Sequence, residues 1–415
     1  MDYAKLTLAV CEDAALRRRQ RLQPVGGKGD KIFPPTYPPS DEMKRLLGER
    51  NAPPRHVFER RQIDGAQTWC VLLDSVQSQA NRLEEALLAA VRDRSIELPY
   101  LMVDFTGKGL DGVNQITSLD APHRVYDAIL RDSLLEGEPF MKSPLGQLLA
   151  KAKSRDATVL LEVSPTALLF GAWYSTGEGG GLGAKFPRCM VSEIVGVGVP
   201  VEHISMPRGG SETITAGQRT GSRIDPLGIL KDKVDVWKSS TGWDVTTEGA
   251  GKGAKKVRPS EINHGNIAPT VQSLGVTCDY AEHTAVISFA GLRRLGFEGG
   301  ERDRAGRALL AALGLLALAE QDTRGYALRS RCDLVCDGTT PLELVHANGR
   351  VDELELDRSG AQRLYIDAYS TARDAGFLLM REPIRLMPQP KLVEIVRRSQ
   401  ERALAGEGGD AGEPT

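Results

Sequence analysis

Five glycines fall within Gly177-Glu178-Gly179-Gly180-Gly181-Leu182-Gly183, with Trp173-Tyr174 before them and Lys185 and Arg188 after. Glycine has no Cβ, so such a stretch adopts positive φ readily and lies flat against another chain. Backbone N–H groups bared in that way form a nest for an anion. Two cations and two ring faces beside a nest suit a polymer of phosphates and bases better than a single metabolite. A phosphate loop would need Gly before Lys185 and Ser or Thr after it, and the chain has Ala184 and Phe186. A G-x-G-x-x-A match can be set on Gly179, Gly181 and Ala184, yet Phe186-Pro187 follows where a crossover helix should begin. Mononucleotide and dinucleotide binding are therefore weak readings of this loop.

Three other groupings bear on chemistry. Arg17, Arg18, Arg19, Arg21, Lys28 and Lys31 have only Asp30 against them locally, and they run into Phe33-Pro34-Pro35-Thr36-Tyr37-Pro38-Pro39. The prolines forbid regular structure, so an extended, rather stiff loop is expected over 17–40, or a solvated linker on the plainer reading. A helix expected over 75–94 carries Val76, Ala80, Leu83, Leu87 and Val91 on one face, and Gln77, Ser78, Asn81 and Arg82 on the other. Asp74 is expected to cap it, with Gln77 reaching back. Exposed helices usually carry Lys and Glu, whereas amides and one Arg at a helix N-terminus suit phosphate and ribose contacts. An ordinary solvated face weighs equally on the residues alone. Cys332 and Cys336 with His346 have loose spacing and no second cysteine pair, so buried thiols are a better reading than zinc. His264 lies in the polar run Asn263-His264-Gly265-Asn266, where a solvated histidine is commoner than a general acid or base.

The elements that must hold these groups alternate along the chain. Strands are expected at 4–11, 69–73, 99–105, 159–163 and 193–199, with a further helix at 120–136. From about 205 to 275 the periodicity dissolves into a Gly-, Ser- and Thr-rich stretch with Arg208, Arg219 and Arg223, read as an inserted, partly mobile element. In the last third, strand 283–290, helix 302–320, strands 325–335 and 342–346 with a turn at Cys336-Asp337-Gly338, helix 359–375 and strand 384–387 follow one another. That order begins a ferredoxin-like, RRM-type unit, so the expected class is α+β. The tail from about Ala405 has little to bury and is expected to be disordered.

At 415 residues the chain has room for two or three domains, and its hydrophobic fraction of 41% supports a real core. A net charge of -2 argues against a uniformly basic nucleic-acid binder, so any polyanion site must be a local patch. Six scattered cysteines show no disulfide framework, which suits a reducing compartment. No apolar run reaches the roughly 18–20 residues of a membrane span, and no apolar segment follows the early arginines as in a signal peptide. Cytoplasm is the expected location.

Three stretches taken together carry a resemblance: Leu22 to Tyr37 (LQPVGGKGDKIFPPTY), Leu73 to Leu87 (LDSVQSQANRLEEAL) and Gly171 to Arg188 (GAWYSTGEGGGLGAKFPR). They resemble the backbone RAMP subunit of type I-G (formerly I-U) CRISPR effector complexes, the Csb-one branch of the Cas-seven family. The resemblance implies an RRM-like palm with inserted finger and thumb elements. Residues 1–170 would begin the palm, 171–275 would hold the glycine loop and the insertion, 276–395 would complete the palm, and 396–415 would be a disordered tail.

The resemblance implies a non-catalytic subunit of a Cascade ribonucleoprotein in antiviral defence, without cofactor or metal. Copies would stack head-to-tail along one guide RNA and leave its bases free to pair with target DNA. Other partners would be the large subunit, a fused Cas-five/Cas-six-type subunit and a recruited helicase-nuclease, with no membrane involved. Because any spacer must fit, the grip should read phosphate and sugar. On that basis the RNA-binding residues would be Arg17, Arg18, Arg19, Arg21, Lys28, Lys31, Gln77, Ser78, Asn81, Arg82, Trp173, Tyr174, Gly179, Gly180, Gly181, Lys185, Arg188, Arg208, Arg219 and Arg223. Type III relatives cleave RNA with a loop aspartate, and Asp225, Asp232 and Asp235 lie in a comparable region, but no motif singles one out. The alternative is a RAMP-type endoribonuclease that processes precursor RNA, for which His264 would need a Lys or Tyr partner.

Overall fold

The computed structural model describes residues 1–49, 52, 54–174, 184–206, 211–229, 234–240 and 242–404. They form a mixed α/β structure of eleven α-helices and several sheets, nearly all antiparallel. The chain divides into two compact units, one of residues 1–30, 72–198 and 278–393, the other of 31–71, 199–277 and 394 onward.

The first unit is built on helices α1 (Tyr3–Glu12), α2 (Val76–Arg92), α3 (Gly300–Arg324) and α4 (Arg358–Asp374). Its strands are β1 (Ala15–Pro24), β2 (Met190–Val197), β3 (Tyr280–Ser288), β4 (Tyr326–Arg329), β5 (Cys332–Cys336), β6 (Leu342–Val345) and β7 (Val351–Leu354). The main sheet runs β4-β5-β1-β3-β2, antiparallel throughout. Leu22 of β1 faces Cys336 of β5, and Leu16 faces Leu344 of β6. Strands β5 and β6 thus share one edge of β1, end to end. Buried and part-buried residues alternate along β3 as a strand with one face on a core requires. Against the sheet lies α3, where Ala308 to Leu318 are all buried, as expected of a helix that is apolar on every side. Gly314 lets it approach closely, because a Cβ there would lie 2.7 Å from Ile287 Cδ1.

Several sequence expectations are corrected. Residues 4–11 form helix α1, not a strand. Asp2 caps it through the Lys5 N–H, and Leu6, Ala9 and Val10 bury one helical face. The arginines from 17 to 21 lie on β1, not in a loop. Ser75 caps α2, accepting from the Ser78 N–H, which leaves Asp74 for another task. Thr158–Val163 is a short helix, and the helix expected over 120–136 resolves into a 3-10 turn, the short helix Ala128–Arg131 and strand Ser133–Leu135. Strands β5 and β6 do not pair with each other as a hairpin; each pairs with β1. Ile384–Pro388 does not complete a unit with β3 to β5. It lies parallel to Leu101–Asp104 in a separate sheet.

The second unit contains the hairpin of Phe58–Ile63 with the strand that begins at Ala66, turned by Asp64 and Gly65, both at positive φ as a tight hairpin turn requires. Between 205 and 275, expected to lack regular structure, short strands pair locally. Ser211–Thr215 pairs with Val201–Ser205, Arg219–Arg223 with Ile267–Gln272, and Val236–Ser239 lies between Gly242–Asp244 and Lys255–Val257. Their few buried apolar positions explain why no periodicity announced them.

Candidate nucleic-acid interface

The arginines of β1 are met by carboxylates from distant parts of the chain. Arg17 bonds Glu343, Arg18 bonds Asp322 (Nη2 to Oδ1, 2.9 Å) and Arg19 bonds Glu282 at 3.0 Å. The guanidinium of Arg21 stacks 4.3 Å above the Tyr280 ring, and Lys28 pairs with Asp337 at 2.9 Å. In the second unit, Lys31 Nζ donates to the Gln218 carbonyl at 2.6 Å. Register explains the neatness: Glu343 stands opposite Arg17, and Glu282 lies diagonally across from Arg19.

The polar face of α2 splits in two. Gln77 and Asn81 are exposed, and Ser78 is half-buried. Arg82 turns inward: its Nε donates to Asp74 at 3.0 Å, and its other nitrogens reach the carbonyls of Ala327 and Leu328 on β4. Asp74 is fully buried and also accepts from Gln79 (2.6 Å) and Arg329 (3.3 Å). From Gln79 a polar chain crosses the core. Ser192 Oγ donates to Gln79 Oε1 at 3.2 Å and lies 2.7 Å from His283 Nε2. The other His283 nitrogen meets Tyr326, whose hydroxyl donates to Asp322, the partner of Arg18. Burial, reinforced by Arg18, pushes His283 down to about 3, so the ring is neutral at any working pH. Sequence reading missed this network because its members are scattered from 18 to 326.

A different environment surrounds the base of the glycine loop. Gly179, Gly180 and Gly181 lie outside the described residues, but the strands flanking the loop are described. Ala172–Trp173 pairs with Lys185–Phe186. Trp173 is 55% exposed, and Lys185 Nζ lies 5.4 Å from its ring centroid. Tyr174 stacks on Tyr126 at 5.4 Å and 20°, and the Tyr126 hydroxyl donates to the Leu149 carbonyl. Beneath, Arg124 grips buried Glu84 through two 2.8 Å bonds and donates to the Gly171 carbonyl at 3.1 Å. Gly171, at φ +85°, lies against Arg188. A tryptophan face is thereby held outward on a rigid base.

In the same unit, Lys151, Lys153, Lys185 and Arg188 are exposed, and none has a carboxylate within ion-pair distance among the described residues. Burial and then Arg124 lower the pKa of Arg188, as expected where positive charge is not compensated. Lys151, Lys153 and Lys185 line a cavity of about 560 Å³. Lys151 and Lys153 were not singled out from the sequence. The signal was available as Lys151-Ala-Lys153-Ser-Arg155, three cations at alternate positions with no acid among them.

In the second unit, Arg219 is exposed and Arg223 donates to the Asn263 carbonyl. Arg208 and Asp232 lie outside the described residues. Asp225 is buried and accepts the N–H groups of Gly265 and Leu227, bonds that lower its pKa. Asp235 pairs with Lys256 at 2.7 Å. His264 packs edge-on against Trp243, and its Nδ1 has no hydrogen-bond partner among the described residues. His346 sits between Asp13 and Asp352, away from thiol chemistry. Burial pushes the Cys332 thiol up to about 11. Among the described residues no three His, Cys, Asp or Glu side chains are grouped to hold a metal, and no helix is long and apolar enough to cross a membrane.

No curated protein matches the chain. Residues 16–201, which include nearly all of β1, α2 and the paired strands at Trp173 and Lys185, match the family model described as CRISPR-associated protein GSU0053.

Proposed function

We propose that this chain is a non-catalytic guide-RNA-binding subunit of a type I-G CRISPR effector complex. Copies associate head-to-tail along the RNA in the cytoplasm, through an RRM-like palm, and leave the guide bases free for target DNA. The observation that carries the reading is the exposed Trp173 with Lys185 over its ring, together with the cavity that Lys185 lines with the equally unneutralised Lys151 and Lys153, inside the segment that matches the family. A ring face and mobile cations hold bases and phosphates without reading sequence. Gln77 and Asn81 add uncharged hydrogen-bonding groups suited to ribose and phosphate.

Fluorescence anisotropy with single-stranded RNAs of unrelated sequence tests this. Affinity should vary little with sequence and fall steeply with salt, and negative-stain images should show filaments on long RNA. Binding that ignores salt, or that selects one sequence strongly, overturns the reading. Discrete cleavage of repeat RNA by the pure protein would replace it with the endoribonuclease.

A further inference from the structure

Two cavities of the first unit meet at Ser154. One, of about 560 Å³, is lined by Lys151, Lys153 and Lys185. The other, of about 710 Å³, is lined by Arg155, Arg294 and the turn before α3. They share Ser154 because two turns are bonded back to back there. Lys153 and Asp156 exchange backbone hydrogen bonds, so the chain reverses at Ser154 and throws Lys153 and Arg155 outward. The Gly296 N–H donates to the Ser154 carbonyl at 2.7 Å, and the Ala157 N–H donates to the Gly296 carbonyl at 2.9 Å. Only glycine fits there, since a Cβ on residue 296 would lie 2.4 Å from the Arg155 carbonyl oxygen.

The remaining charges of the second cavity are engaged in its walls. Arg293 donates to the carbonyls of Val10 and Asp13, and Arg307 to that of Leu295. Asp303 accepts from Phe297, Gly299 and Arg307. Arg155 and Arg294 are exposed and have no carboxylate partner among the described residues, while Glu298 and Asp156 are the exposed acids nearby. Free cations are therefore strung from Lys185 through Lys151, Lys153 and Arg155 to Arg294. They are divided between two cavities, three lysines in the first and two arginines in the second. A single phosphate or a nucleotide wants convergent donors, whereas a strung-out series matches repeated phosphodiesters.

We infer that these two cavities form one track for the phosphodiester backbone of a single nucleic-acid strand, entering over Trp173 and Lys185 and leaving past Arg155 and Arg294. This rests on the proposed function and lengthens its site. The far end of the track provides the test, because it holds none of the residues on which that function was argued. Wild type, Arg155→Gln/Arg294→Gln, the charge-keeping Arg155→Lys/Arg294→Lys, and Arg363→Gln on the exposed face of α4 are titrated with a fluorescent RNA across a salt series. The same series is run with DNA of the same sequence. Each phosphate contact on a single strand contributes about 0.7 to the slope of log affinity against log salt. The glutamine pair should make the slope shallower by about 1.4, and the lysine pair and Arg363→Gln should leave it unchanged. Loss of slope with both strands assigns the contact to phosphate, and loss with RNA alone names the guide as the occupant. An unchanged slope in the glutamine pair, while wild type binds, overturns the track alone. Failure of wild type to bind either strand overturns the proposed function with it.

Discussion

Two arginine- and lysine-rich regions of the first unit look alike in sequence and differ in kind. On β1, Arg17, Arg18 and Arg19 each have a carboxylate on a neighbouring strand or helix, and Arg21 lies on a tyrosine ring. Along 151–188, Lys151, Lys153, Lys185 and Arg188 have none among the described residues. A cation held by a nearby carboxylate has its charge cancelled within the protein, so a phosphate gains little by approaching it. An uncancelled cation that neutralises a phosphate releases a counterion condensed on the nucleic acid. A basic run in a sequence therefore marks a polyanion site only after its internal partners have been counted.

The largest effect should come from breaking the ion pair that supports the unpaired region. Glu84 is fully buried and Arg124 nearly so. Glu84→Ala would strand the guanidinium and cost about 3–5 kcal/mol in urea unfolding. Burial raises the Glu84 carboxyl from 4.5 to about 7 despite Arg124. The unfolded chain thus loses that proton at lower pH than the folded one. Stability should fall as pH rises from about 4.5 to 7, and Glu84→Gln should abolish that part of the slope. A variant as stable as wild type would mean that the pair does not support the hairpin.

Next, Asp322→Asn removes the charged partner of Arg18, whose side chain is only 12% exposed. The cost should be about 1–3 kcal/mol in stability, with the salt dependence of RNA binding unchanged. Trp173→Ala should behave in the opposite way. An exposed ring contributes little to folding, within about 0.5 kcal/mol, while loss of a stacked base should weaken RNA binding by about 1–3 kcal/mol. If Asp322→Asn weakened RNA binding and Trp173→Ala did not, the roles assigned to the two regions would be reversed.

What the sequence could reveal follows from how local each cause is. Helix α3 was legible because its run of Leu and Ala is long enough to settle its own form. The buried face of α2 was legible because Ala80, Leu83 and Leu87 recur at helical spacing. Residues 4–11 misled because Ala4, Leu6 and Leu8 alternate with Lys5 and Thr7, while the buried set Leu6, Ala9 and Val10 has helical spacing, so one short stretch fits either period. Thr158–Val163 is too short and apolar for its period to be read at all. The β1 arginines were unreadable for another reason. Their partners Glu282, Asp322 and Glu343 lie more than 260 residues away, so nothing near them in sequence tells a paired arginine from a free one. That Trp173 and Lys185 lie together was within reach of the sequence, because both flank one short glycine-rich loop. Lys151, Lys153 and Arg155 alternate in the sequence without an acid among them, but it takes the turn at Ser154 and the approach of Gly296 to make a surface of them.

The smallest expected effect is the sharpest on the comparison itself. Arg19 is the most exposed of the paired β1 arginines, at 50% of its side chain, so it has the best access to RNA among them. As a surface pair with Glu282 it contributes about 0–1 kcal/mol to stability, and Arg19→Gln should unfold almost like wild type. If pairing silences the charge, the salt slope of RNA binding should also stay unchanged. If Arg19 instead exchanges Glu282 for phosphate when RNA arrives, the slope should fall by about 0.7. Glu282→Gln separates the two cases from the other side. It frees Arg19 without removing it, so a silent arginine should become available and RNA binding should tighten. An arginine that already contacts phosphate would gain less, because the contact exists before the carboxylate is removed. An unchanged slope in Arg19→Gln together with tighter binding by Glu282→Gln is the expected result, and it would show that the carboxylates on the neighbouring strands, not the arginines, keep β1 off the RNA.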